Sequence, residues 1–165
     1  MSDRDLLERA RTLLDLCRIR KLRIATAESC TGGLVAATLT EIPGSSDVIE
    51  RGFVTYSNEA KQVMLGVSAS TLVEFGAVSR ETAEAMALGA LAHSPAELTV
   101  SVTGIAGPGG GTPPKPVGLV HFAACLRPGR LLHRERRYGD IGRTEVRRAA
   151  VVEALAMLRE LAEQE

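Results

Sequence analysis

Apolar residues recur along the chain at two alternating spacings, which predict alternating strands and helices. Short, mostly apolar runs predict β-strands at residues 22–27, 52–56, 98–102, 117–126 and 131–138. Apolar residues at every third or fourth position predict helices at residues 3–18, 32–40, 80–93 and 144–162, and a short helix after Ser57 or Asn58 that Gly66 ends. This alternation indicates one three-layer α/β domain over residues 1–165, with a mixed, mostly parallel sheet and helices on both faces.

The charge balance and the aromatic content narrow the classes of partner. The chain has 20 basic and 20 acidic residues, so no net field attracts DNA or an anionic membrane. Aromatic residues make up 3% of the chain and tryptophan is absent, which argues against a stacking surface for single-stranded nucleic acid. We therefore expect neither direct nucleic-acid binding nor a membrane partner.

The cysteines and the first residues bear on the cellular compartment. Cys17, Cys30 and Cys125 are widely spaced, odd in number and without a CxxC pair, which argues against a disulfide framework and a zinc site. Free thiols suit a reducing compartment. The N-terminal segment is charged, it has no apolar signal-peptide core, and no apolar run reaches transmembrane length. The sequence therefore predicts a cytoplasmic protein.

Two segments rich in small residues follow predicted strands and are candidates for a binding site. SCTGG spans residues 29–33, and TGIAGPGGGTPPKP spans residues 103–116. Such segments let backbone N–H groups converge on an anion, and Gly109, Gly110 and Gly111 permit a close backbone approach. Because ligands of open α/β sheets bind beyond the carboxyl ends of parallel strands, we expect both segments at one rim. Neither segment matches the Walker A or the Rossmann spacing.

Ser29 and Lys61 are the candidates for a nucleophile and its base. Ser29 lies just before a predicted helix, so its hydroxyl is either a helix cap or a nucleophile beside helix-end N–H groups. Lys61 follows the second strand and is either a solvated surface lysine or a base whose pKa must fall by about three units. The histidines fall on a helix end and within strands, away from the expected rim, so a Ser–His–Asp triad is poorly supported: His93, His121 and His133.

Further polar side chains are expected near the same rim. Tyr56 is either a hydrogen-bond donor at the site or a strand aromatic, and Thr103 either reaches the site or is a β-branched strand residue. Arg143 and Arg147 lie four residues apart at the start of the last predicted helix. They either grip a phosphate or form ion pairs with nearby carboxylates on a solvated helix start.

Three stretches of the sequence together resemble the CinA C-terminal domain family. They are TAESCTGGLVAATLTEIPGSSDVIERGFVTYSNEAKQVMLGV, GAVSRETAEAMA and VTGIAGPGGGTPPKPVGLV, and the likeness runs from about residue 24 to residue 155. The combination of SCTGG, YSNEAK and GIAGPGGGTPxKPVG is very specific. The resemblance implies a stand-alone nicotinamide-nucleotide amidohydrolase (NMN deamidase). Such an enzyme hydrolyses the pyridine nucleotide nicotinamide mononucleotide (NMN) to nicotinate mononucleotide and ammonia, without a metal or a cofactor.

The resemblance also implies roles for individual residues. Ser29 matches the family's serine nucleophile and Lys61 its base, while Tyr56 and Thr103 match further polar positions of its pocket. Substrate contacts are expected from the two small-residue segments and the last helix: Cys30, Thr31, Gly32, Gly33, Gly104, Gly109, Gly110, Gly111, Arg143 and Arg147.

The sequence departs from the family pattern just before the last helix. The family's GDRxxVR reads GDIGRTEVR here, with two extra residues between Asp140 and Arg143. The match at Arg143 and Arg147 is kept, whereas the role of Asp140 stays open. Pro114 stands where many members have an acidic residue, and we expect its effect to be local.

Two other functions stay open at this point. The alternative from another class is a catalytically silent nucleotide- or partner-binding module of the competence- and damage-inducible type. A third is a hydrolase of another amide on a related nucleotide. Ammonia release from NMN separates an enzyme from a silent module, and rates on several pyridine nucleotides separate the two hydrolases. In each case we expect a homodimer or higher homo-oligomer, which is common among small α/β enzymes.

Overall fold

A computed structural model describes residues 1–164 of the chain. Within these residues the helices are α1 (Asp3–Arg20), α2 (Leu34–Thr40), α3 (Asn58–Leu65), α4 (Ala69–Phe75), α5 (Arg80–Ala92) and α6 (Arg143–Ala162). The strands of the same residues are β1 (Ile24–Glu28), β2 (Ile49–Val54), β3 (Leu98–Gly104), β4 (Leu119–Leu126) and β5 (Arg130–Arg137). The predicted alternation of helices and strands is confirmed.

The five strands of residues 1–164 form one mixed sheet in the order β2-β1-β3-β4-β5. β1 pairs in parallel with both β2 and β3, whereas β3–β4 and β4–β5 are antiparallel pairs. Four of the five strands therefore run in the same direction, although two of the four neighbouring pairs are antiparallel. The predicted mixed sheet is confirmed, and its parallel half contains the three strands that precede the candidate site.

Helices cover both faces of the sheet, which confirms the predicted three layers. α1, α2 and α6 pack on one face, and α5 packs on the other together with α3 and α4. β3 contacts the helices on both faces of the sheet, because its apolar side chains alternate with side chains that carry hydroxyls. The apolar ones lie in the core beneath α1 and α6. On the opposite face, the Thr99 and Ser101 hydroxyls donate to the Ala87 and Ala83 carbonyl oxygens of α5 at 2.9 and 2.6 Å.

The structure differs from the sequence prediction at β2 and α4. β2 begins at Ile49 rather than at residue 52, because polar residues at positions 50 and 51 interrupt the apolar run at this sheet edge. α4 was not predicted; Ser68 caps it by accepting from the Thr71 N–H, and it buries Leu72 alone. A single buried side chain produces no helical period in the sequence, so the pattern could not reveal this helix.

Candidate active site

The carboxyl ends of the three parallel strands meet at one rim, as predicted. β1 leads into residues 29–33, β2 into Thr55 and Tyr56, and β3 into residues 105–116. A cavity of about 260 Å³, which we call the rim cavity, opens among these segments. It is lined by Ser29, Cys30, Tyr56, Lys61, Ala77, Val78, Thr103, Gly104, Ile105, Ala106, Gly107, Gly109, Gly110 and Arg143.

Lys61 reaches Ser29 inside the rim cavity. Lys61 lies in the first turn of α3, the helix that Ser57 caps. Its Nζ atom lies 3.1 Å from Ser29 Oγ. The carbonyl oxygens of Thr55 and Tyr56 accept hydrogen bonds from the same Nζ at 3.1 and 3.3 Å. The structure therefore brings the predicted serine and lysine into hydrogen-bond contact.

The surroundings of Lys61 favour its neutral form. Lys61 is 1% exposed, so it is not a solvated surface lysine, and its three polar contacts are uncharged oxygen atoms. Burial lowers the pKa of Lys61 from its ordinary value of 10.5, since the charged ammonium loses its hydration. Cys30 opposes this shift only as a thiolate, and burial raises the pKa of Cys30 to about 12. At neutral pH the thiol is uncharged, and the lowering of the Lys61 pKa stands.

Ser29 does not cap α2, so the helix-cap alternative is wrong. The N-cap residue is Gly33, with φ at +105° and no side-chain cap. Instead, the fully buried carboxylate of Glu28 accepts hydrogen bonds from the N–H groups of Val35 at 2.8 Å and Ala36 at 3.1 Å. A negative charge suits this position because it satisfies free N–H groups of the first turn. Glu28 was not predicted as a residue of the site. Its sequence signal is an acidic residue at the end of an apolar strand, one turn before a helix.

Arg143 closes one side of the rim cavity. Its guanidinium donates to the Gly107 carbonyl oxygen and to Tyr56 Oη, each at 2.8 Å. Tyr56 is 59% exposed, so this pair lies at the mouth of the cavity rather than at its base. The guanidinium keeps further N–H groups beyond these two bonds. Arg143 and Tyr56 can therefore both contact a ligand that enters the cavity.

Arg147 does not face the rim cavity. Its guanidinium donates to the carbonyl oxygens of Cys30 and Thr31, each at 3.1 Å. The structure therefore does not bring Arg143 and Arg147 together at one cavity, and phosphate binding by the two arginines stays a prediction. A separation of four residues moves a side chain about 6 Å along a helix, which carries Arg147 past the cavity to the turn that follows Ser29.

Thr103 lines the rim cavity, but its hydroxyl is bound elsewhere. The residue is buried, and its Oγ1 donates to the Ala77 carbonyl oxygen at 2.7 Å. A hydroxyl has one proton to donate, so Thr103 cannot donate to a ligand while this bond holds. Because Ala77 and Val78 also line the cavity, Thr103 fixes one of its walls.

The two small-residue segments contribute unequally to the rim cavity. Of the substrate contacts predicted from these segments, Cys30, Gly104, Gly109 and Gly110 line the cavity. The other four from these segments lie outside its lining: Thr31, Gly32, Gly33 and Gly111. The first three form the turn into α2, in which the Gly32 N–H donates to the Ser29 carbonyl oxygen at 3.0 Å. The fourth packs against Val117, whose backbone nitrogen would lie 2.8 Å from an added Cβ atom.

The histidines lie away from the rim cavity, as predicted. His121 on β4 and His133 on β5 contact each other, with Nδ1 and Nε2 3.0 Å apart. His93 is the C-cap residue of α5. Within residues 1–164, no group of three or more His, Cys, Asp and Glu side chains is arranged to hold a metal ion. Across that same stretch, no helix has the length and apolar character that a membrane span requires.

Comparisons with known proteins agree with the sequence resemblance. The model of the CinA C-terminal domain matches residues 7–162. The chain is 48% identical over 159 residues to the nicotinamide-nucleotide amidohydrolase PncC of Escherichia coli K12, an alignment that covers 96% of this chain and 95% of that protein. It is also 58% identical over 116 residues to a CinA-like protein of Chlorobium phaeovibrioides. That match covers 70% of this chain but only 27% of the longer relative.

Solved structures share the whole fold. The competence/damage inducible protein CihA from Agrobacterium tumefaciens superposes with a TM-score of 0.95 and 57% identity, over 99% of this chain and 98% of that one. A competence or damage-inducible protein from Enterobacter asburiae gives a TM-score of 0.90 and 32% identity, over 96% and 98% of the two chains. From its fold, its sequence and these relatives together, the chain belongs to the CinA C-terminal domain family.

Proposed function

We propose that this chain hydrolyses the carboxamide of NMN to give nicotinate mononucleotide and ammonia, with Ser29 as the nucleophile and Lys61 as its base. The observation that carries the proposal is the 3.1 Å contact between Lys61 Nζ and Ser29 Oγ in a buried site. The 48% identity to a nicotinamide-nucleotide amidohydrolase over nearly the whole chain supports the choice of substrate. The reaction requires neither a metal nor a cofactor.

The contacts of Lys61 suit a neutral amine that accepts a proton from Ser29. A neutral amine has two N–H groups and one lone pair. The carbonyl oxygens of Thr55 and Tyr56 accept the two N–H groups. The lone pair then faces the Ser29 hydroxyl, which donates to it. This arrangement removes the serine proton without a histidine.

The reaction proceeds in two steps through an acyl-enzyme. Lys61 takes the hydroxyl proton as Ser29 Oγ attacks the carboxamide carbon, and the carbonyl oxygen becomes an oxyanion. The carbon–nitrogen bond then breaks, and Lys61 transfers its proton to the departing nitrogen, which leaves as ammonia. In the second step Lys61 deprotonates a water molecule, whose oxygen attacks the ester carbon. The bond between that carbon and Ser29 Oγ then breaks, Lys61 returns its proton to Ser29 Oγ, and nicotinate mononucleotide leaves. The positively charged pyridinium ring of NMN withdraws electrons and makes its amide more electrophilic than that of free nicotinamide.

Two further parts of the rim cavity supply binding energy. The backbone N–H of Cys30, the residue of this turn that lines the rim cavity beside Ser29, is the donor for the oxyanion, and one such donor typically contributes about 3 kcal/mol to transition-state stabilisation. Arg143 at the mouth is the cation for the phosphate of the nucleotide. Binding energy from this remote group positions the carboxamide at Ser29. The same contact accounts for an expected preference for NMN over free nicotinamide.

The first experiment measures ammonia release from NMN by the purified chain and by Ser29→Ala and Lys61→Met. Loss of the nucleophile should lower kcat by about 10⁴-fold or more, and loss of the base by about 10² to 10⁴-fold. Lys115→Met is the matched control, because the Lys115 ammonium donates to the Phe75 carbonyl oxygen outside the rim cavity. It should retain wild-type turnover. Far-ultraviolet circular dichroism checks that each variant is folded.

Each outcome of this experiment identifies one function. Ammonia release by wild type and Lys115→Met alone supports the deamidase and its two residues. Near-wild-type turnover by folded Ser29→Ala contradicts the covalent mechanism. Thermal stabilisation by NMN without ammonia release supports the silent binding module instead, and turnover of another pyridine nucleotide alone supports the third function.

A further inference from the structure

The turn that follows Ser29 is held from outside the rim cavity by a single arginine. Arg147 of α6 donates from Nε to the Cys30 carbonyl oxygen and from Nη2 to the Thr31 carbonyl oxygen, each at 3.1 Å. The turn has two bonds of its own, from the Gly32 N–H to the Ser29 carbonyl oxygen and from the Leu34 N–H to the Thr31 carbonyl oxygen. Arg147 therefore ties this turn to a distant helix.

The geometry of these two bonds constrains the turn strongly. Hydrogen bonds from a charged donor are about twice as strong as neutral ones, and the planar guanidinium fixes two acceptors in one orientation. Here the acceptors are the carbonyl groups of consecutive residues. Because each peptide unit is planar, fixing both carbonyl groups fixes two successive peptide planes. These are the Cys30–Thr31 and Thr31–Gly32 planes, which begin one peptide unit beyond the nucleophile.

Arg147 acts without access to the substrate. It is not among the residues that line the rim cavity. It lines a separate cavity of about 470 Å³ between α1, α2 and α6. Its neighbour Arg148 lines the same second cavity but bonds to the N-terminal segment, through the Met1 carbonyl oxygen and the Asp3 carboxylate. The two arginines share a helix and a cavity, and Arg147 alone of the two holds the turn after Ser29.

We propose that Arg147 is a positioning residue: it holds residues 30–31 so that Ser29 Oγ stays at Lys61 Nζ. The proposal rests on the proposed amidohydrolase function of the same site. It assigns Arg147 a role in the chemical step rather than in binding the nucleotide phosphate. The two roles predict opposite kinetic effects.

Substitution of Arg147 separates the two roles. If Arg147 is a positioning residue, Arg147→Ala should lower kcat for NMN by about 100-fold, the effect expected from a misplacement of about 1 Å at the reacting centre. The KM should change by less than about threefold, since ground-state binding is untouched. The matched control Arg148→Ala should retain wild-type kcat. A raised KM with unchanged kcat would overturn the proposal and return Arg147 to phosphate binding.

Chemical rescue distinguishes positioning from general stability. Because Arg147 lines the second cavity, its truncation to alanine should open that cavity toward the Cys30 and Thr31 carbonyl oxygens and let a free guanidinium ion reach them. Guanidinium chloride at non-denaturing concentration should restore kcat in this variant by about tenfold, as a charged hydrogen-bond donor replaces the missing one. Sodium chloride at equal ionic strength should not. Absence of rescue, with a loss of kcat that follows the loss of thermal stability, would overturn the proposal.

A substrate-independent probe keeps this test separate from the choice of NMN. A fluorophosphonate reacts with an activated serine whatever the natural substrate is, and Ser29→Ala serves as its blank. Wild type that is labelled at Ser29 but releases no ammonia from NMN would contradict the proposed substrate alone. The labelling rate of Arg147→Ala should still fall by about 100-fold, with rescue by guanidinium. Equal labelling rates in the two proteins would overturn the role of Arg147.

Discussion

The inner and outer ends of the rim cavity differ in how firmly their side chains are held. At the inner end, Ser29 and Lys61 are 8% and 1% exposed. Lys61 Nζ makes three polar contacts there. At the outer end, Tyr56 is 59% exposed, and its hydroxyl meets the Arg143 guanidinium over a cavity that is open to solvent.

Under the proposed function, this difference separates the chemical step at the inner end from recognition of the nucleotide at the outer end. Reacting groups must be held in place before the substrate arrives, because reorganisation during the reaction raises the barrier. Burial at the inner end meets this need and also lowers the pKa of Lys61. Groups that bind a charged phosphate need solvent access and a choice of rotamers. Exposure at the outer end allows the Arg143 guanidinium to exchange its bond to Tyr56 for bonds to a ligand.

The largest effect at the outer end is expected from Arg143→Gln. Loss of one or two charged hydrogen bonds to phosphate should raise the KM for NMN by about 10 to 100-fold, with kcat changed little. Steady-state kinetics with NMN and with nicotinamide riboside, which has no phosphate, provide the test. The effect should be absent with the riboside. An equal loss of kcat with both substrates would contradict a recognition role and place Arg143 in the chemical step.

Arg137→Gln is the control for this substitution. Arg137 is an arginine of β5 whose partner is Glu135, and it does not line the rim cavity. Its replacement removes one positive charge from the protein without touching the mouth of the cavity. Unchanged kinetics in this control would exclude a general effect of net charge on the binding of NMN.

A pH profile tests the inner end without a substitution. Protonated Lys61 has no lone pair for the serine proton, so activity requires the neutral amine. Burial lowers the pKa of Lys61 below 10.5. The value of kcat/KM should therefore rise about tenfold per pH unit up to that lowered pKa and be constant above it. The phosphate of NMN also titrates, near pH 6, so the rise of kcat/KM with pH must also be seen with nicotinamide riboside, which has no phosphate. A rise that is absent with the riboside would belong to the phosphate and not to Lys61.

The smallest effect is expected from Thr103→Val. The substitution removes the bond to the Ala77 carbonyl oxygen and keeps the β-branched shape. Urea unfolding should show a loss of about 1 kcal/mol in the free energy of unfolding, and kcat should fall by less than about tenfold. A much larger loss of kcat with stability unchanged would mean that the hydroxyl donates to the substrate. Thr103 would then belong to the reacting groups of the inner end.

The elements of the fold with a clear period were predictable, and those without one were not. α1, α5 and α6 carry long apolar stripes and were predicted with their ends within a few residues. α4 and the first residues of β2 were missed, because one buries a single side chain and the other lies at the edge of the sheet. The spacing of apolar residues in a sequence reflects which side chains are buried, and few side chains are buried in α4 and β2.

The candidate site was predictable in its residue types but only partly in its contacts. Ser29, Lys61, Tyr56 and Arg143 lie around one cavity, and the rule that ligands bind beyond the carboxyl ends of parallel strands led us to expect the strand-end segments there. The contacts of Arg147 with the Cys30 and Thr31 carbonyl oxygens were not predictable, because helical spacing gives the direction of a side chain on its own helix and not the atoms it contacts. The contacts of Glu28 depend on the angle at which α2 leaves β1.

By itself, the sequence determined the alternation of strands and helices and the segments at the strand ends, and it offered Ser29 and Lys61 as candidates for a nucleophile and its base. Periodicity and residue chemistry are local properties, so they can be read from a single chain. Only the tertiary structure decided that Lys61 is buried beside Ser29. It also decided that Arg147 bonds to the turn behind the nucleophile. Burial and distance depend on how separate elements pack together, and packing sums contacts between residues far apart in the chain.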